Sequence, residues 1–251
     1  GRIVLTGADI EVLGVLKNAT ASAAVAGVGD DPADETYEIV IQPTHTLTLT
    51  GDVDALGSIL IEVPTDFTLA GSVEAGGLET FEFITETRGF VNGIDERVRI
   101  EAPNISIDGG VTSEGDPLGA QVIASGLIQM IAPGGIDVSV ASELIVRHEN
   151  SRLFLQAEHV DILGSLYAGA DVNHVLMGEA PGVTWVAPNA NVQIEATEMV
   201  SLIGGSIEAT GIVTITVDDG ATPKFYLDAE SFVKTDATAV GGTSGISISA
   251  A

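Results

Sequence analysis

The sequence predicts an all-β chain folded as a parallel β-helix (β-solenoid) with irregular loop excursions. It is taken as right-handed from the chirality of parallel crossovers. Three observations carry this expectation. A frame of alternating apolar residues, Leu153, Leu155, Ala157, then Val160, Ile162, Gly164, Leu166, recurs without a gap at Ile3–Leu16 and at Val98–Val111. A small residue, Ala or Gly, closes the first half of each copy, where a corner leaves no room for a larger side chain. The composition is 45% hydrophobic but only 4% aromatic, with 30 glycines, which suits a narrow column of stacked aliphatic side chains. One such unit cannot bury its apolar side alone, whereas copies stacked about 4.8 Å apart can. The expected body is therefore single and elongated over residues 1–251.

The first frame, Ile3, Leu5, Gly7, then Ile10, Val12, Gly14, Leu16, is followed by an excursion from Gly27 to Glu38, rich in Gly, Asp and Pro. It holds the densest carboxylate cluster, Asp30, Asp31, Asp34 and Glu35, whose hard oxygens make calcium the candidate ion. The spacing matches neither an EF-hand nor the glycine-rich calcium repeats, so a solvated loop is the favoured reading. No cofactor is required. Tyr37, Ile39 and Ile41 alternate up to Pro43, and Ile59, Ile61 and Val63 up to Pro64, each proline marking a corner. Shortened frames run Leu47, Leu49, Gly51, Val53, Ala55 and Phe67, Leu69, Gly71, Val73, Ala75. Glycine late in a frame is expected to supply backbone angles closed to other residues.

Phe81, Phe83 and Phe90 stand with Arg88, Arg97 and Arg99, half of the six arginines, and read as a core patch salt-bridged to Glu82, Glu86 and Glu96 rather than a ligand site. After the loop Glu114–Gly119, the stretch 127–146 is strand-rich with a Pro133-Gly134-Gly135 turn. His148, His159 and His174 have spacings that match no compact zinc motif and read as solvent-facing corner residues. Trp185, the sole tryptophan, lies between two turns and is read as packing over an open side. Val192, Ile194, Ala196, then Val200, Leu202, Gly204 repeats the frame with one extra residue at its corner. A turn at Asp218-Asp219-Gly220 precedes a last copy, Phe225, Leu227, Ala229, Phe232.

With 36 acidic against 9 basic residues, the formal net charge of −27 repels nucleic acid and anionic membranes. No run of about 18 apolar residues encodes a membrane span. Zero cysteine removes disulfides and thiol chemistry. Carboxylate pairs such as Asp52 and Asp54, or Glu195 and Glu198, are too common here to mark acid and base, and no nucleophile elbow or phosphate loop is present, so the chain is read as no enzyme. Because the frame starts at once and the tail ends without a cap, the chain is read as a processed product or segment. Exposed strand edges are then expected to pair with copies of the chain or with neighbouring segments.

The units VRIEAPNISIDGGV, LFLQAEHVDILGSL and VQIEATEMVSLIGG resemble segments of large repetitive bacterial surface exoproteins and adhesins of the filamentous-haemagglutinin-like kind. That resemblance implies a secreted or cell-surface structural and adhesive module, bacterial and extracellular, assembling end to end into filaments and meeting a glycan or surface ligand. Two alternatives stay open. One is a calcium-stabilised matrix or surface-layer element, and the other is a carbohydrate-active β-helix enzyme, a polysaccharide lyase or hydrolase.

Overall fold

The computed structural model describes residues 2–18, 37–76, 96–111, 115, 118–173, 182–218, 224–235 and 243–250. Among them every regular element is a strand. Among the described residues no helix is long and apolar enough to cross a membrane. In chain order the strands are β1 (Ile3–Val12), β2 (Val15–Asn18), β3 (Tyr37–Leu49), β4 (Asp52–Ala55), β5 (Ser58–Glu62), β6 (Phe67–Leu69), β7 (Ser72–Ala75), β8 (Arg97–Glu101), β9 (Ile105–Ile107), β10 (Gln121–Ala124) and β11 (Leu127–Val138). They continue as β12 (Glu143–Val146), β13 (Arg152–Ile162), β14 (Ser165–Ala168), β15 (Ala170–Asn173), β16 (Gly182–Trp185), β17 (Asn191–Leu202), β18 (Ser206–Ala209), β19 (Ile212–Val217), β20 (Lys224–Leu227), β21 (Phe232–Thr235) and β22 (Gly245–Ala250).

Alternation decides which side of each strand is inside. In β13, Leu153, Leu155, Ala157, Val160 and Ile162 are buried, while Phe154, Gln156, Glu158, His159 and Asp161 face outward or partly so. Parallel pairing in register then lines up equivalent positions. One inward ladder runs Leu5, Ile41, Ile61, Ile100, Met130, Leu155, Ile194, Ile215, Ile248. In the second sheet, β2-β4-β7-β10-β12-β14-β18-β21, another runs Leu16, Val53, Val73, Val122, Leu144, Leu166, Ile207, Val233. Apart from the exposed Ile248 at its end, both ladders belong to one apolar core or pack against it.

The parallel β-helix, or β-solenoid, read from the repeats is corrected by the larger sheet. There β3 pairs with β5 through its first half and with β6 through its second, and β11 pairs with β8 and β9. Because β5 also pairs with β8 and β6 with β9, the pairings close into a parallel ring, β3-β5-β8-β11-β9-β6. The architecture is all-β with this six-strand ring, a barrel in the connectivity of its pairings, plus a separate parallel sheet. The physical reason lies at the bends. Strand β3 continues through Pro43 and β11 through Pro133-Gly134-Gly135, whereas the chain breaks at Pro64–Asp66 and at Pro103-Asn104, leaving two short strands opposite one long one.

Corners also differ from expectation. Glu158-His159 is no turn between strands but a bend inside β13, and the corner into the second sheet comes at Leu163-Gly164. Phe225 pairs with Val200, so the last copy begins in mid-frame. The residues just before the second sheet's strands are all small: Gly14, Gly51, Gly71, Ala120, Ser142, Gly164, Gly205 and Ser231. At Gly51 and Gly71 glycine is needed for space, as the small residue closing the first half of a frame was expected to be. A Cβ on Gly71 would lie 2.0 Å from the Gly51 carbonyl oxygen, and one on Gly51 would lie 2.0 Å from that of Gly14, with neither glycine at positive φ.

A seam runs along the other end of the second sheet. Ala55, Ala75, Ala124, Val146, Ala168 and Ala209 end their strands in register there. The chain returns to the larger sheet through two residues at Leu56-Gly57, Ser125-Gly126 and Thr210-Gly211, but through much longer stretches after β2 and β7. Antiparallel β15 and β16 also leave from this seam and fold over the outside of the second sheet. Trp185 and Val183 pack there on Ile123, Ile145, Tyr167 and Ala170, the packing role expected of the tryptophan.

Candidate functional site

The described surface with the most concentrated chemistry is the outer face of the second halves of β11, β13 and β17 together with β20. Register places Asp137, Asp161, Ser201 and Tyr226 in one outward row, and Gly135, His159, Met199 and Lys224 in the row beside it. Such rows follow from the pleat, because residues two apart on a strand share a face and parallel pairing repeats them across the sheet. Between and beyond the rows lies an open groove of about 550 Å³, walled on its apolar side by Leu163, Met199, Ile203 and Phe225. Ser201 donates to the Asp161 carboxylate at 2.6 Å.

Partial removal from water in the groove, and then the neighbouring Asp161 carboxylate, push the Asp137 carboxyl above the usual carboxylate range. Asp54 and Glu208 are also raised, first by burial, with Lys17 and Lys234 opposing. A folded-state value above the unfolded one means that the native chain binds protons more tightly. The favourable term is therefore fully present below the ordinary carboxylate pKa and is lost as pH rises through the raised value. The exposed Asp228 shifts the other way, held down by Ser231 and the amides of Gly204, Glu230 and Ser231. Through Asp137, Asp54 and Glu208 the melting temperature is expected to rise as pH falls toward the ordinary carboxylate pKa of about 4, and Asp137→Asn is expected to raise it at neutral pH but not below that value. An equal effect of that substitution at both ends would contradict the assignment.

At the rim of the groove stand Glu158, His159 and Glu198, whose nearest ligand atoms all lie within 4.8 Å of one another. His159 Nε2 is 3.1 Å from Glu198 Oε2. The three residues lie at a bulge: Ala157 pairs with Ala196 and His159 with Met199, so β17 carries one more residue between these partners than β13 does. The extra residue at this corner is the sequence signal that could have revealed the cluster. Reading histidines by their mutual spacing missed it, because the partners are carboxylates.

The other predicted positions scatter. Asp30, Asp31, Asp34 and Glu35, the calcium candidates, lie outside the described residues, as do Phe81, Phe83, Phe90, Arg88 and His174. Among the described residues Arg99 pairs with Glu101 and also interacts with Tyr37, while Glu82 and Glu86 lie outside them. His148 sits in the turn before β13, with its amide bonded to the Ser125 carbonyl. Asp52 accepts from Ser72 at 2.7 Å, Asp54 faces Lys17 at 4.0 Å, and Glu195 accepts from Gln193. These three acids are thus held in neighbour contacts along or between strands. Neither this geometry nor any comparison supports the adhesin, secretion or calcium readings. No family model, no curated protein and no solved structure matches the chain.

Proposed function

We propose that this chain is a structural module that joins further parallel strands through its two open edges, and that its work is assembly rather than catalysis. The observation that supports it is the state of the ladders where they end. Ile246 and Ile248 occupy the same positions that are fully buried at Val213 and Ile215 one strand earlier, yet they are 48% and 43% exposed. Strand β22 carries no charge and no proline, the devices that usually blunt an edge. At the opposite edge Ile3, Leu5, Ile10 and Leu16 pack on the core from one side only. A strand of the same alternation would complete either ladder, whether from an adjoining segment or from a second copy. A cell-surface or extracellular setting belongs to the same proposal and rests on the resemblance of the repeated units alone.

Sedimentation of the 251-residue chain across roughly 1 to 200 µM tests this. Concentration-dependent association that disappears in the double variant Ile246→Lys, Ile248→Lys is expected. A monomer throughout that range, or association that survives the double variant and a lysine at Leu5, sinks the reading.

A further inference from the structure

We propose that Glu158, His159 and Glu198 bind one divalent transition-metal ion of the zinc class at the bulged corner of β13 and β17. This goes beyond the assembly reading and does not depend on it. The residues come from two neighbouring strands and meet at the bulge, where Glu198 is one of two β17 residues set between the partners of Ala157 and His159. There the Glu198 carboxylate reaches the imidazole of His159 on the adjacent strand. On the other side His159 pairs with Gly135, which adds no side chain next to the ring.

Distance and donor chemistry both select the ion. Zinc bonds of about 2.0 Å to nitrogen and oxygen place tetrahedral ligand atoms about 3.3 Å apart. The 3.1 Å between His159 Nε2 and Glu198 Oε2 already meets that spacing. The remaining separations, no more than 4.8 Å, need only a rotamer change of a half-exposed glutamate. One imidazole nitrogen with two carboxylates suits zinc, cobalt, nickel or copper, whereas calcium takes oxygen ligands. Water completes the coordination. A chain of net charge −27 draws cations to its surface, and the imidazole is what makes this corner selective among so many carboxylates.

The test is titration of the intact chain with zinc chloride near pH 7, by calorimetry and by histidine side-chain NMR, in the presence of excess calcium. One saturable equivalent is expected, with a perturbation confined to His159 among the four histidines. His159→Ala and Glu198→Gln should each weaken binding at least tenfold while leaving the melting temperature of the metal-free chain close to that of the parent. The proposal is overturned if no equivalent binds, if calcium displaces it, if another histidine responds, or if His159→Ala binds zinc as the parent does. In those cases Glu198 and His159 are an ion pair only.

Discussion

Gly71→Ala is expected to lower stability by about 3 kcal/mol, the upper end of what overpacking costs, because its new methyl meets backbone rather than a side chain that can turn aside. The Cβ would stand 2.0 Å from the Gly51 carbonyl oxygen and 3.1 Å from the carbonyl carbon of Thr50. Relief requires the two strands to separate just where β4 and β7 begin their parallel pairing. Gly7→Ala is the matched control. Its Cβ would find only ordinary contacts at 3.9 Å, so a change within about 0.5 kcal/mol is expected. Urea unfolding of both variants checks this, and equal midpoints would show that the corner is not closely packed.

Leu155→Ala is expected to cost about 3 kcal/mol, within the range for deleting buried aliphatic groups. Leu155 is 0% exposed and is held between Met130 and Ile194 in the central ladder. Strands on both sides fix the spacing, so the cavity cannot collapse by moving one neighbour. Gln156→Ala, one position along on the outer face, should change stability by no more than about 0.5 kcal/mol. A loss at Leu155 no larger than at Gln156 would contradict the inward assignment.

The strands and their inward faces were legible because burial imposes a period of two, and the three ungapped frames report it directly. The closure of the ring was not. It depends on whether a bend stays hydrogen-bonded, and Pro43 lies within a continuous strand while Pro103 ends one. A proline reads the same in both sequences. The shortened frames at Leu47–Ala55 and Phe67–Ala75 are the second half of a layer with its corner and the next sheet's strand, so their missing residue was a difference of place rather than a deletion. Gly51 and Gly71 were read for the right reason, lack of room at a corner, whereas of the glycines late in a frame Gly204 has the positive φ expected of it and Gly14, Gly57, Gly109 and Gly164 do not. Of the candidate site, the extra residue before Val200 was visible as a break in the frame. That an imidazole meets a carboxylate beside it needed the register of two strands whose paired residues are about 40 apart, as Asp161 and Ser201 are.

The seam at the end of the second sheet bears on how such a chain can change over time. Ser72 bonds Asp52 across 20 residues, and Arg97 bonds Ser58 across 39, yet both contacts join directly neighbouring strands. Neighbouring layers are therefore indifferent to how much sequence separates them, provided that the extra length leaves and re-enters at the seam. Genetic insertions there would be filtered by what they display and hardly at all by folding, since loop length adds cost only logarithmically. One flank of the molecule is free to diversify while the ladders behind it stay fixed.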